Sequence, residues 1–201
     1  MRNLDKRELL NKLIKVAETF KTEDDNYLIS YPHFLKYFAD LDEIKEHHLI
    51  IGMSFTYSWM PTILNFKTEK GNNLENNIKN VLELLNKVKK EKKTNILLSN
   101  TELAKVKELL NNSLVGTSKL LHFIAPEKYA IWDSKVFFNL YNEPAHKYKL
   151  EKTEAYLDYL QLLKELTFNE DLFPELFSIM RKECPEITKF RALELSIFKL
   201  K

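Results

Sequence analysis

The sequence is poor in cysteine and glycine. Cys184 is the only cysteine among 201 residues, so the chain can form neither an internal disulfide nor an iron–sulfur cluster that needs several thiolates. Glycine occurs only 3 times, which argues against a sheet-rich fold with many tight turns. Leu, Lys, Glu and Asn dominate instead, and apolar residues recur at helical spacing over most of the chain. The sequence therefore predicts an all-α protein.

A long apolar run and a strong net charge are also missing. The longest apolar run, near residues 49–53, is far too short to cross a bilayer, and the first residues lack the apolar core of a signal peptide. We therefore expect a cytoplasmic protein without a membrane partner. Because the net charge is only +2, an anionic partner would have to be bound by a local patch. The lysine-rich run at 87–93 either contacts phosphates or is a solvated helix end.

Helical spacing and capping residues divide the chain into about nine helices, which we assign to a single domain, residues 1–201. Pro32 is predicted in the first turn of a helix, and Asp42 as the cap of the next helix. Pro61 is predicted to interrupt a helix, and Ser99 or Asn100 to cap another helix from about Thr101 to Leu110. The expected architecture is two small lobes that share a groove.

The most informative segment is Ser113–Asn139. A turn containing Gly116 opens an apolar helix, and glycine there can take a positive φ or let another backbone approach closely. Free amides at the start of that helix attract anions, and the hydroxyls of Thr117 and Ser118 would add contacts to the same phosphate. The same pattern also fits an ordinary helix hairpin.

Asp133 follows a loop and is predicted to cap the next helix, a role worth roughly 0.5–2 kcal/mol. A carboxylate at a helix N-terminus also suits stabilising a developing cation or orienting a water molecule. Lys119 lies in the preceding helix and is either a nucleophile whose pKa is lowered by burial or an ordinary cation. Trp132 would keep one side of such a site dry, or belong to the core.

Residues Val115–Phe123, followed by Pro126 and Asp133, resemble the helix-hairpin-helix signature of DNA glycosylases. The small branch described as 8-oxoguanine-glycosylase-like is the most similar. The resemblance covers residues 99–141, and the segments 57–61 and 191–194 also look like this branch. The chain differs from the usual signature in having one hairpin glycine instead of two, and a shorter spacing between the hairpin lysine and the aspartate.

The resemblance implies an enzyme with two lobes around a DNA-binding groove. It would flip a modified base out of double-stranded DNA and cleave the N-glycosidic bond. The implied catalytic residues are Asp133 and Lys119, with no cofactor and no metal. The implied contacts to the DNA backbone are Ser113, Gly116, Thr117, Ser118 and Lys135. The candidates for the base pocket or for a wedge are Tyr57, Trp59, Met60, His47 and Trp132.

Several alternatives stay open at this point. The excised base is either a hypermodified phage cytosine, such as glucosylated hydroxymethylcytosine removed in anti-phage defence, or 8-oxoguanine removed in repair. The altered hairpin slightly favours the defence role. A non-catalytic helical DNA-binding module would keep the hairpin without the chemistry, and a protein-interaction domain would use the aromatic segment 55–64. The aromatic residues also fit core packing, and His47 also fits a solvated helix face. Protein partners and oligomeric state are not predicted.

Overall fold

The computed structural model describes residues 5–22, 27–65, 74–91, 94 and 96–200. The sequence also predicts an acidic polar loop over 21–26 and a polar connection over 67–73. Residues 23–26 of that loop, the connection at 67–73 and the last two lysines of the basic run (92–93) lie outside the described residues. The described part of the chain is helical and contains no strand. The predicted all-α class is therefore confirmed.

Eleven helices are present in these ranges, so the predicted count of about nine was approximate. One of the additional helices, α8, is a single short turn that leaves little periodicity to detect. The helices are α1 (Lys6–Thr19), α2 (Tyr27–Ala39), α3 (Glu46–Ser58), α4 (Leu74–Lys90), α5 (Asn100–Leu109), α6 (Leu114–Ile124), α7 (Ser134–Tyr141), α8 (Lys147–Leu150), α9 (Thr153–Thr167), α10 (Leu172–Glu183) and α11 (Lys189–Lys199).

Two buried helices organise the packing. Helix α6 is buried along nearly its whole length and packs against α2, α3, α4 and α5. Helix α11 is also mostly buried and packs against α1, α7, α9 and α10. These two sets correspond only coarsely to the two predicted lobes, because α5 also packs against α9. Residues from both sets of helices line the cavity that is described below as the candidate active site.

The helix ends agree with local capping rules in most places. The Ser99 hydroxyl accepts a hydrogen bond from the Glu102 amide, and the Glu102 carboxylate accepts one from the Ser99 amide, so α5 begins as predicted. Helix α3 ends at Ser58, three residues before Pro61. Asn142 ends α7 in the left-handed conformation with φ 51°, which asparagine tolerates better than most residues.

Two predicted helix starts are wrong. Helix α2 begins at Tyr27, so Pro32 lies inside it and not in its first turn. The buried side chains of Leu28 and Tyr31 anchor this earlier turn against the core, which outweighs the backbone bond lost at the proline. Asp42 does not cap α3 either, because that helix begins at Glu46.

The turn between α5 and α6 is built by asparagine and not by glycine. Asn111 and Asn112 have φ of 55° and 54°, in the left-handed region. Gly116 is buried inside α6, where an added Cβ would lie 3.4 Å from the Tyr57 ring, at ordinary contact distance. The expectation that Gly116 makes the turn is therefore wrong, and its burial leaves it unable to contact a DNA backbone.

Candidate active site

A cavity of about 360 Å³ lies between α6, the start of α7 and α11, and its volume is at the small end of ligand sites. Four charged side chains line it: Lys119 from α6, Asp133 at the start of α7, and Arg191 and Glu194 from α11. A larger groove of about 1030 Å³ near Phe123 is lined by none of the predicted site residues. We therefore treat the smaller cavity as the candidate active site.

Asp133 caps α7, as predicted. The backbone amides of Lys135 and Val136 donate to its Oδ1 at 2.9 and 2.8 Å. Both amides use the same oxygen, so neither engages Oδ2. The positive end of the α7 dipole adds a field that favours the carboxylate. The cap thus fixes one acidic group at the edge of the cavity in a defined orientation.

Lys119 is desolvated beside this carboxylate. Its side chain is buried, with 8% of the residue exposed, and its Nζ donates to the Trp59 carbonyl oxygen at 2.6 Å. Burial lowers its pKa to about 8, against the opposing charges of Asp133 and Glu194. A pKa near 8 leaves about one amine in ten unprotonated at pH 7, which is enough for a nucleophile.

Arg191 and Glu194 form a buried ion pair that the sequence prediction did not include as site residues. The guanidinium donates to Glu194 Oε2 and lies 5.5 Å from the ring centres of both Tyr31 and Trp59. Burial raises the pKa of Glu194 to about 7, although the Arg191 charge acts in the opposite direction. The spacing of three residues within one helix was a sequence pattern that could have revealed this pair.

Several predicted pocket residues do line the cavity, and others do not. Trp59 and Met60 contribute to its wall. Tyr57 and Trp132 are core residues instead: the Tyr57 hydroxyl donates to the Leu110 carbonyl at 2.7 Å and the Trp132 indole to the Leu150 carbonyl at 3.0 Å. Their assignment to a base pocket or wedge was therefore wrong.

His47 is also distant from the cavity. It lies in the first turn of α3, whereas the cavity is lined by residues that follow the other end of that helix. At 1.5 Å per residue, His47 is roughly 17 Å from the last residue of α3. It is exposed and its ring contacts only the neighbouring His48 among the aromatic rings described. Its predicted contact with a flipped base was wrong.

The predicted contacts to the DNA backbone need a similar correction. Thr117 and Ser118 are fully buried. The Thr117 hydroxyl donates to the Ser113 carbonyl at 2.8 Å, and the Ser118 hydroxyl accepts from the Trp132 amide at 3.0 Å. Neither hydroxyl can reach a phosphate. Lys135 is exposed near the cavity, and its ammonium lies 4.4 Å from the Phe198 ring centre, so it remains a candidate contact.

The N-terminus of α6, predicted to hold a phosphate, already holds a carboxylate of the protein. The Leu114 amide donates to Glu151 Oε2 at 2.7 Å, and the Gly116 amide donates to the Ser113 hydroxyl at 3.1 Å. Lys107 lies 3.4 Å from the same Glu151 oxygen. Ser113 is therefore a helix cap that also lines the cavity. The Glu151 carboxylate takes the place of the predicted phosphate at this helix end.

The described residues show neither a membrane-spanning helix nor a cluster of metal ligands. No helix among the described residues is long and apolar enough to span a membrane. Within the same ranges, no three His, Cys, Asp or Glu side chains are grouped closely enough to hold a metal ion. Comparisons with protein-family models, curated proteins and solved structures find no match. The site is therefore interpreted from its own residues.

Proposed function

We propose that this protein is a DNA glycosylase, which cleaves the N-glycosidic bond of a modified nucleotide flipped into the cavity. The observation that carries the proposal is the pairing of an oriented carboxylate, Asp133, with a desolvated amine, Lys119, on one small cavity. Departure of the base builds positive charge on the sugar. A carboxylate held by two amides is suited to stabilise that charge without reorganising.

Two routes complete the reaction at the sugar C1′ atom. In the first, water oriented by Asp133 adds to C1′ as the base leaves with the electron pair of the N-glycosidic bond, and the proton released by the water ends on the departing base. In the second, the unprotonated Lys119 amine forms a C–N bond to C1′ as the base leaves with the electron pair of the N-glycosidic bond. The sugar ring then opens as one proton moves from the lysine nitrogen to O4′, which yields a protonated Schiff base. The second route is supported by the lowered pKa of Lys119. Only the second gives an adduct that borohydride can trap.

The substrate proposal keeps the two bases named from the sequence. A hypermodified phage cytosine, such as glucosylated hydroxymethylcytosine, is the first candidate, and 8-oxoguanine is the alternative. Either base presents donors and acceptors that Arg191 and Glu194 can complement at the cavity wall. Both substrates are double-stranded DNA. We further propose the cytoplasmic location that was expected from the sequence.

A base-release assay tests this proposal directly. Duplexes that carry oxidised, deaminated, alkylated or glucosylated bases are incubated with the wild-type protein and with the Lys119→Gln variant, with and without borohydride. Release with trapping that disappears in Lys119→Gln supports the amine route, and release without trapping supports the water route. Failure to release any base from the whole series would contradict the proposal.

A non-catalytic DNA-binding module is the runner-up, and the geometry supports it less. A binder that relied on the hairpin would need accessible amides and hydroxyls. The hydroxyls of Thr117 and Ser118 are buried, and the Leu114 amide is bonded to Glu151. A binder of intact duplex has no flipped nucleotide to place in the charged cavity, whereas a glycosylase does. Binding of duplex DNA without release of any tested base would favour the module.

A further inference from the structure

The cavity has an exposed isoleucine at its edge. Met60, Pro61 and Thr62 all line the cavity, and Ile63 follows with its Cα only about 3.8 Å from that of Thr62. Ile63 is 91% exposed, the largest value among the large hydrophobic residues in the described ranges. Single exposed aliphatic residues are common on protein surfaces. This one differs because the backbone on both sides of it is held in place.

Hydrogen bonds anchor the segment at both ends. Asn111 Nδ2 donates to the Ile63 carbonyl at 3.0 Å, and Asn111 Oδ1 accepts from the Asn65 amide at 3.1 Å. At the other end, the Lys119 ammonium donates to the Trp59 carbonyl at 2.6 Å. The same Asn111 also forms the turn between α5 and α6. Ile63 is thus exposed on a segment that is hydrogen-bonded to Asn111 in the α5–α6 turn and to Lys119, the candidate nucleophile.

We propose that Ile63 is the wedge that enters the DNA duplex and occupies the gap left by the flipped nucleotide. Apolar side chains such as isoleucine are inserted between base steps and partly unstack them, and a nucleotide flipped into a pocket leaves such a gap in the stack. The buried Tyr57 and Trp59 cannot leave the core to do this. The inference rests on the proposed glycosylase function, because it needs a nucleotide inside the neighbouring cavity.

An abasic duplex tests the wedge without knowledge of the substrate base. The probe is a short duplex that contains a tetrahydrofuran abasic analogue with 2-aminopurine as its neighbour, because 2-aminopurine fluorescence rises when the base is unstacked. We expect the wild-type protein to bind this probe and raise its fluorescence. Ile63→Ala should abolish the rise and weaken binding about tenfold or more. Ile63→Leu, which keeps an aliphatic side chain of similar volume, should restore both.

Ile29→Ala is the matched control, because Ile29 is also strongly exposed, at 72%, and does not line the cavity. It should behave as wild type. An unchanged fluorescence rise with Ile63→Ala would overturn the wedge and leave the glycosylase proposal intact. If the wild-type protein neither binds the abasic probe nor releases any base, both proposals fail together. Thermal melting checks that each variant folds, since substitutions at exposed positions change stability little.

Discussion

The N-termini of α6 and α7 lie on the same cavity but have different partners. Ser113 caps α6, and a second carboxylate, Glu151, binds the Leu114 amide. Asp133 alone caps α7 and lines the cavity. Both helix ends have the same dipole and the same need for acceptors. At α6 the amides are bonded to Ser113 and Glu151, which have a structural role. At α7 the acceptor, Asp133, is itself the candidate reactive group.

The difference indicates where function is to be sought in this molecule. A helix N-terminus attracts anions only while its amides are available, and at α6 two of them are bonded to Glu151 and Ser113. At α7, the cap itself is a carboxylate that lines the cavity. The contrast predicts that changes at α6 affect mainly stability, and that changes at α7 affect mainly chemistry.

The largest effect is expected for Asp133→Asn. Asparagine caps a helix about as well as aspartate, so the free energy of unfolding should change by only a few tenths of a kcal/mol. Base release should fall roughly 10²–10³-fold, the loss typical when one preorganised electrostatic group is removed. Single-turnover release from duplex substrate and urea unfolding measure the two quantities separately.

Asp5→Asn provides the matched control for that experiment. Asp5 caps α1 through the same geometry, with the Arg7 and Glu8 amides donating to its Oδ1 at 2.9 and 3.1 Å, but it is exposed and does not line the cavity. It should leave base release unchanged. Equal losses of release in both variants would mean that capping, and not the charge at the cavity, is what matters.

Glu151→Ala should give the next largest effect, and mainly on stability. It leaves the partly buried Leu114 amide without its carboxylate, which costs roughly 1–3 kcal/mol. Glu151→Gln keeps a side-chain oxygen for that amide and should recover much of the loss. Chemical denaturation of the two variants measures the difference, and a large drop in single-turnover base release with unchanged stability would contradict the contrast between α6 and α7.

The sequence was sufficient where the interacting groups are close along the chain. Asp133 and the two amides that it caps lie within three residues of each other, so the capping rule identified the contact. The contact of Glu151 with Leu114 joins residues 37 positions apart, and no local pattern marks it. Helical spacing likewise predicted the all-α class but not which helices would meet.

Some errors at the site could have been avoided from the sequence. Helix α6 is apolar around most of its circumference, which is typical of a helix buried on all sides. That pattern predicts that Thr117 and Ser118 face protein and not phosphate. No such local pattern marks the burial of Tyr57 or the exposure of Ile63. Tyr57, at the end of α3, packs on Gly116, and the segment that contains Ile63 is hydrogen-bonded to the distant Asn111.

Ser113→Ala is expected to have a smaller effect than Glu151→Ala. The variant loses the side-chain acceptor for the Gly116 amide, and the loss of such a cap costs about 1 kcal/mol. The midpoint of urea unfolding should shift accordingly, while base release changes little because Asp133 and Lys119 are untouched. A loss of release larger than the loss of stability would instead assign Ser113 a direct contact with substrate.

The smallest effect is expected on the pKa of Lys119. It compares the charge of Asp133, at the start of α7, with the charge of Glu151, which binds the start of α6. The negative charge of Asp133 raises this pKa, against the larger effect of burial. Removing that charge in Asp133→Asn should therefore move the midpoint for Lys119 deprotonation below about 8. Glu151 is not among the groups that shift the pKa of Lys119, so Glu151→Gln should leave the midpoint in place.

The rate of reductive methylation of Lys119 against pH, followed by mass spectrometry, measures the midpoint without requiring catalysis. An equal shift in both variants would show that the α6 and α7 carboxylates act on the cavity alike, and the contrast between the two helix ends would fail.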